Sequence, residues 1–221
     1  IESPVFPPNV SVYKAQSGNY AGSHAQNAFV AGYIFGLITP DYRAGVISQA
    51  GTDAGLKTSG GFRVGEQYYC GICNSRYAPV TFYPKFAEIT NPASEAEWQA
   101  AANALLADAV TSVFIQPEVS SAGLVEYLRA KGVLLIGVEG QAGIGEGSGL
   151  VATISSAGTS LNLPDALQKM LDDGKLDPIT EAGLNLINVN RALLSEGKQA
   201  YFEVVRKDLV SGLIYPLPFG Q

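Results

Sequence analysis

Polar side chains follow four short apolar runs of the sequence, and each run is typical of a buried β-strand. The carboxyl ends of parallel strands meet at one edge of a sheet, where ligands bind. Carboxylate, hydroxyl and amide groups in this pattern suit the hydroxyls or amide-like heteroatoms of a small molecule. The alternative is that these loops are polar only because they are solvated. The candidate ligand-binding residues are Ser48, Gln49, Asp53, Gln116, Glu118, Glu139 and Gln141, with residues 88–91 ending a further strand.

Glu118 and Glu139 each end a predicted strand and could act as a general acid and base. Paired carboxylates in a sheet of this kind more often bind sugar hydroxyls or cations, so we expect binding. His24, the single histidine, opens an apolar helical pattern, where a histidine is more often a helix-end residue than a base. We therefore predict no catalytic residues and no enzyme, with a carboxylate-dependent enzyme as the least favoured alternative.

Cys70 and Cys73 have the spacing of a thioredoxin-like redox pair. Such a pair lies at a helix N-terminus, where the helix dipole lowers the thiol pKa, but this one follows a predicted helix C-terminus, where the dipole acts oppositely. A zinc site would need two more ligands, of which His24 supplies at most one. We expect a local disulfide that locks the end of the helix, formed in an oxidising compartment.

Two glycine-rich segments resemble nucleotide-binding loops in composition alone. Residues 51–57 lack the Gly-Lys-Ser/Thr ending of a phosphate loop. Residues 140–149 precede a predicted strand, whereas the dinucleotide fingerprint precedes a helix, and we expect them to form a mobile surface loop. No cofactor and no metal ion are predicted.

The elements that must position these residues follow from hydrophobic periodicity. Strand and helix patterns alternate three times in the middle of the chain, which predicts an α/β fold with a parallel sheet and helices on both faces. One helix begins after Ser94, its predicted N-cap, with Glu97 at the capping-box position. The other predicted helices are 24–37, 54–69, 122–131, 163–171 and 199–209, and the predicted strands are 9–14, 43–48, 80–86, 113–116, 133–138, 150–154 and 184–189.

The composition is that of a globular protein and excludes several partners. The 221 residues include 14 Lys+Arg against 20 Asp+Glu, and the net charge of −6 offers no electrostatic footprint for nucleic acid or anionic lipid. The longest apolar stretch, residues 28–38, is about half of the ~20 residues that a bilayer span needs. Ile1 in place of Met leads us to expect that an upstream part has been removed.

Six strings, in their order and spacing, resemble the basic membrane protein family of type I periplasmic binding proteins. Together they extend over nearly the whole chain, from about residue 9 to residue 218. They are AGYIFGLIT (31–39), RAGVI (43–47), GGFRVG (60–65), FIQ (114–116), GLVE (123–126) and KGVLLIGVE (131–139).

This resemblance implies two α/β lobes that close on a ligand held between them. It implies that residues 1–14 are a hinge segment, residues 15–150 the second, ligand-binding lobe, and residues 151–221 crossover segments that return to the first lobe. The first lobe would then lie upstream of Ile1, in roughly a hundred residues on the usual size of a domain. A second lobe alone is expected to associate with another chain through the surface that the first lobe would cover.

The resemblance also assigns roles to single residues. Glu139 stands where the family has an aspartate that binds ribose hydroxyls, Ile89 at the position of a base-stacking aromatic, and Thr159 at that of a ligand-contacting lysine. Isoleucine has no aromatic face and threonine no charge, so both a nucleoside-like and a sugar-like ligand stay open.

We therefore predict a solute-binding protein that is extracytoplasmic and lipid-anchored in its precursor. It would capture a small polar organic ligand and deliver it to an ABC permease. A ligand-sensing receptor domain with the same fold is the alternative.

Overall fold

A computed structural model of the protein describes residues 24–74, 80–145, 147–157 and 183–218. The alternating strand and helix patterns form a six-stranded sheet with helices. In these ranges the strands are β1 (Ala44–Gln49), β2 (Lys85–Ile89), β3 (Ser112–Ile115), β4 (Leu134–Val138), β5 (Leu150–Ala157) and β6 (Gly183–Ile187). The α-helices are α1 (His24–Ile38), α2 (Asp53–Cys70), α3 (Glu95–Ala107), α4 (Ala122–Ala130) and α5 (Glu196–Val210).

The strand order in the sheet is β2-β1-β3-β4-β5-β6. The pairs between β1 and β2, β1 and β3, β3 and β4, and β4 and β5 are all parallel, which confirms the predicted α/β class. The exception is β6, which pairs antiparallel with β5, so that Leu186 lies opposite Ile154.

Two hydrophobic clusters cover the two faces of the sheet, because successive strand side chains point to opposite sides. Val46, Phe114 and Ile136 pack in the cluster that includes residues of α1, α2 and α5. Their odd-numbered neighbours, such as Ile47 and Ile115, pack with residues of α3 and α4. Alternate residues along a strand therefore pack against different helix layers, and the same alternation applies to the residues at the strand ends.

Helix caps fix the loops that follow β1 and β2. Thr52 Oγ1 accepts a hydrogen bond from Gly55 N over 3.0 Å at the start of α2. Ser94 caps α3 as predicted, since its Oγ accepts from Glu97 N over 3.3 Å. The Glu97 carboxylate accepts from Thr90 N over 2.6 Å and from Thr90 Oγ1 over 2.9 Å. These bonds lower the pKa of Glu97, with the bond from the Thr90 backbone as the largest cause. They also connect the loop after β2 to α3.

The strand predicted at residues 80–86 is displaced, because the sheet strand β2 is Lys85–Ile89. The β-prone residues before it pair with the segment after α2 instead: Phe82 forms an isolated antiparallel bridge with Asn74, and Tyr83 N donates to Cys73 O over 2.9 Å. Pro84 has no N–H to donate to a sheet ladder, so it separates this pairing from β2.

The end of α2 carries a disulfide between Cys70 and Cys73, whose Cα atoms are 5.1 Å apart. Gly71 follows the helix with a positive φ of 71°, and its N–H donates to Gln67 O over 2.8 Å. Cys73 is buried in the cluster beneath α3 and α4. The disulfide therefore anchors the helix end to the core.

Several predicted features lie outside the described residues: the strand 9–14, the helix 163–171, Thr159 and the hinge segment 1–14. The described parts of residues 151–221 share their sheet and core with α1 to β4, because β5 pairs with β4, β6 pairs with β5, and α5 packs on α1. The division at residue 150 into a lobe and crossover segments stays a prediction. Within the described ranges, no helix has both the length and the apolar character that a membrane span requires.

Candidate ligand-binding edge

The carboxyl ends of β1 to β4 lie side by side at one edge of the sheet, which we call the carboxyl edge. Gln49, the last residue of β1, is in register with Ile89, the last residue of β2. Just beyond β3, Gln116 N donates to Ile47 O over 2.9 Å, and just beyond β4, Glu139 N donates to a carbonyl of β5 over 2.9 Å. The loops that carry the predicted ligand-binding residues therefore meet, as parallel pairing requires.

The Gln116 side chain is fully buried and is held by the backbone of β1. Its Oε1 accepts a hydrogen bond from Gln49 N over 2.8 Å, which determines how the amide is turned. The other end of the amide, Nε2, has no hydrogen-bond partner in the described part of the chain. Because buried N–H groups in folded proteins are nearly always paired, Nε2 is a donor that a ligand or a buried water can use.

Glu139 is exposed at the end of β4 and is oriented by Ser155. Ser155 Oγ on β5 donates to Glu139 Oε2 over 2.5 Å, and Ser155 itself is buried. A carboxylate held in this way presents acceptors in one orientation, which suits recognition of hydroxyl groups. Ser155 lies one residue beyond the strand predicted at 150–154, and its contact depends on the pairing of β4 with β5, which is not visible in the sequence.

Glu118 lies in a short 3-10 helix after β3, beside the first residue of α1. His24 Nε2 is 3.6 Å from Glu118 Oε1, and the two side chains are 31% and 23% exposed. The second carboxylate oxygen, Glu118 Oε2, is buried and has no partner among the described residues. His24, which the sequence placed at a helix end, thus also belongs to the carboxyl edge.

Three predicted ligand-binding residues have side chains that make other contacts. Ser48 is fully buried, and its Oγ lies 2.9 Å from Ser59 Oγ of α2. Ile89 is 1% exposed and packs in the cluster beneath α3. Asp53 is on the outside of α2, where its Oδ2 is 2.6 Å from Lys57 Nζ. The structure does not bring the Ser48 and Ile89 side chains to the surface of the carboxyl edge.

Gln141 braces the glycine-rich loop with both ends of its amide. Its Oε1 accepts from Val138 N over 2.8 Å and its Nε2 donates to Ile115 O over 3.1 Å, with the side chain 6% exposed. Two consecutive residues of this loop are packed as well, since Gly143 lies against Ala122 and Ile144 against Gly137. The first half of the predicted mobile loop is therefore fastened to the ends of β3 and β4.

Replacing Gln141 with methionine, which has a similar length, should lower the free energy of unfolding by about 2 kcal/mol, because Val138 N and Ile115 O would be left buried without partners. Urea unfolding of the full-length protein measures this loss. Gln67→Met, at an exposed position of α2, is the control and should change the stability by about 0.5 kcal/mol or less. Equal losses in the two variants would contradict the bracing role of Gln141.

The charges at the carboxyl edge favour a ligand that is neutral or positively charged. In the part of the chain that the structure describes, the edge carries the carboxylates of Asp53, Glu118 and Glu139. The basic groups beside them, Lys57 and His24, each already lie next to one of these carboxylates. No group of three His, Cys, Asp or Glu residues that could hold a metal ion occurs among the described residues.

Comparisons with known proteins find likeness in structure alone. No protein-family model and no curated protein matches the chain. Among solved structures, an ABC transporter system solute-binding protein from Conexibacter woesei DSM 14684 matches with a TM-score of 0.55 and 18% identity, over 89% of this chain and 63% of that one. A solute-binding protein of an ABC transporter system from Aeropyrum pernix K1 matches with a TM-score of 0.60 and 12% identity, over 87% of this chain and 64% of that one.

A third solved structure, a periplasmic solute-binding protein of an ABC transporter from Actinobacillus succinogenes 130z with bound D-allose, matches with a TM-score of 0.42 and 16% identity. That score is too low to relate its ligand to positions in this chain. The chain spans 63% and 64% of the two better-matched structures, which is less than two thirds of their length. At identities of 12% and 18%, the likeness shows that this chain has the α/β fold found in solute-binding proteins of ABC transporters.

Proposed function

We propose that the chain is the larger part of a solute-binding protein of an ABC importer, which binds a small, polar organic ligand at the carboxyl edge and does no chemistry on it. The observation that carries this proposal is the oriented set of groups at that edge. Gln116 offers an unpaired amide donor, Glu118 an unpaired carboxylate oxygen, and Glu139 a carboxylate held by Ser155. Such convergent polar groups fix the orientation of a ligand in a cleft.

The ligand class that fits these groups is a neutral compound rich in hydroxyls, either sugar-like or nucleoside-like. Hydroxyls donate to carboxylates and accept from amides, so one ligand can use both kinds of group. The carboxylates beside Lys57 and His24 disfavour an anionic ligand. Glu139 is the residue proposed to bind ribose-type hydroxyls, with Gln49, Asp53 and Thr159 as further proposed contributors. Gln141 supports the loop after β4, and the buried side chains of Ser48 and Ile89 are not part of the proposed site.

The proposed partner is an ABC permease, and the proposed location is extracytoplasmic with a lipid anchor on the precursor. The disulfide between Cys70 and Cys73 supports an oxidising compartment. Closure on the ligand would need a second lobe, in keeping with the greater length of the two solute-binding proteins that this chain matches. Membership of the basic membrane protein family, and assignment of residues 15–150 to its second lobe, are part of the proposal.

Isothermal titration of the full-length protein tests the proposal. The probes are D-ribose, D-glucose, inosine and adenosine, with L-glutamate and glucose 6-phosphate as anionic comparisons. We expect saturable binding of at least one neutral compound and none of the anions. The proposal is wrong if no neutral probe binds or if only the anions bind.

Glu139→Gln should weaken binding of the neutral probe about tenfold to a hundredfold, because it removes the charge from a hydrogen bond worth about 1.5–3 kcal/mol. The matched control is Glu196→Gln at the start of α5, which is exposed and follows β6 at the opposite edge of the sheet. Titration of both variants with the compound that binds the wild type measures the effect. Equal affinities would remove Glu139 from the proposed site.

A further inference from the structure

Three buried polar atoms without hydrogen-bond partners belong to α1 and to the segment just after β3. They are Asn27 Oδ1, Gln116 Nε2 and Glu118 Oε2, each unpaired within the described residues. The side chains of Asn27 and Gln116 are 4% and 0% exposed. A buried unpaired group of this kind costs about 1–3 kcal/mol, and native proteins leave few of them.

One contact, together with helix spacing and strand alternation, places these atoms in one region. His24 Nε2 lies 3.6 Å from Glu118 Oε1, which joins the first turn of α1 to the loop after β3. Asn27 follows His24 by three residues, so the two share one side of α1. Gln116 follows Phe114 by two residues, and Phe114 packs in the cluster with α1, so strand alternation directs Gln116 toward the same helix layer.

The chemistry of the three atoms is complementary. Gln116 must present Nε2 away from β1, because its Oε1 is occupied by Gln49 N over 2.8 Å. Asn27 and Glu118 present acceptors. A ligand hydroxyl can accept a hydrogen bond from an amide N–H and donate one to an oxygen at the same place.

We propose that Asn27 and Gln116 form the floor of a ligand subsite at the start of α1, with His24 and Glu118 as its rim, and that this subsite takes a hydroxyl group of a neutral ligand. The inference rests on the proposed function and adds α1 to the binding residues. The His24–Glu118 separation of 3.6 Å is longer than a hydrogen bond, and both side chains are partly exposed. The contact between His24 and Glu118 would therefore break at little cost when a ligand takes its place.

Asn27→Leu tests the subsite, because it removes the acceptor while keeping a similar volume. If Asn27 binds a ligand hydroxyl, the affinity for the neutral probe that binds the wild type falls about tenfold to a hundredfold. The stability of the ligand-free protein stays the same or rises, because an unpaired buried amide has been removed. A merely structural role would move the unfolding transition and leave the affinity unchanged.

Gln116→Glu is the second variant, since its carboxylate can still accept from Gln49 N but can no longer donate. It should weaken the same probe, while the Glu196→Gln control should bind as the wild type does. The probes are D-ribose, D-glucose and inosine, each paired with its 2-deoxy or 2′-deoxy analogue. For one of these pairs, Asn27→Leu should reduce the ratio of the affinity for the parent compound to the affinity for its deoxy analogue.

The outcomes separate this inference from the proposed function. If the wild type binds a neutral probe but Asn27→Leu and Gln116→Glu bind it with unchanged affinity, the subsite is wrong and the proposed function stands. If the wild type binds none of the neutral probes, both are wrong.

Discussion

Replacing Glu66 with glutamine is expected to raise the free energy of unfolding at pH 7 by about 3 kcal/mol. Glu66 lies on α2, is fully buried, and has no hydrogen-bond partner for either carboxylate oxygen among the described residues. Burial raises the pKa of Glu66 from 4.5 to about 9, so the folded protein keeps this carboxyl protonated at neutral pH. Unfolding releases the proton to water, which favours the unfolded chain.

The sign of the pH dependence follows from the same shift. Between pH 4.5 and about 9 the folded state binds one more proton at Glu66 than the unfolded state does. The contribution of Glu66 to stability therefore falls as the pH rises through this range, by up to about 1.4 kcal/mol per pH unit. Glu66→Gln, which does not titrate, should match the wild type near pH 4.5 and exceed it increasingly toward pH 9.

Urea unfolding of the full-length protein at pH 5, 7 and 9 measures this difference. Glu126→Gln, on the exposed side of α4, is the matched control and should follow the wild type at every pH. A gain of stability in Glu66→Gln that is the same at the three pH values would mean that the buried carboxyl is not the cause.

Gly65→Ala should lower the free energy of unfolding by about 3 kcal/mol. α1 and α2 run in the same direction and pack closely, and a Cβ on Gly65 would overlap the carbonyl oxygen of Phe29 in α1. Gly61 meets the Ala25 carbonyl oxygen in the same way one turn earlier. Because the obstacle is helix backbone and not a mobile side chain, the two helices must separate to admit a methyl group.

Gly197→Ala provides the control for this substitution. Gly197 lies in the first turn of α5, and a Cβ there would have no neighbour within 4 Å. Alanine is preferred over glycine in helices, so this variant should gain about 0.5–1 kcal/mol. Thermal unfolding of the two variants should thus shift in opposite directions, and a gain in both would show that helix propensity outweighs close packing at Gly65.

Much of the fold could be predicted from local pattern. The helix expected at 24–37 is His24–Ile38, and the strand expected at 133–138 is Leu134–Val138. Each segment has one unbroken hydrophobic pattern, which indicates a single type of secondary structure. The strand expected at 80–86 was misplaced, because its β-prone residues pair with the segment after α2, a contact that periodicity cannot reveal.

The site was predicted less completely than the fold. The position of Glu139 at the carboxyl edge followed from its place after an apolar run, but its partner Ser155 depends on the pairing of β4 with β5. Ile89 was predicted to meet a ligand, whereas strand alternation places its side chain in the core beneath α3. Asn27 was not predicted as a site residue and His24 was predicted only as a helix-end residue, because an apolar helix pattern does not show which of its polar residues faces a strand end.

The α/β class, the order of most elements and the polar character of the strand ends could all be predicted from the amino-acid sequence. Hydrophobic periodicity and capping residues act over a few neighbouring positions and are visible in one dimension. Which polar atoms have hydrogen-bond partners is visible only in three dimensions, as with Gln116, whose Oε1 is bonded and whose Nε2 has no partner among the described residues. Hydrogen-bond pairing of this kind depends on contacts between residues far apart in the chain. Contacts of that long-range type also bury Glu66 and bring Gly65 close to the backbone of α1.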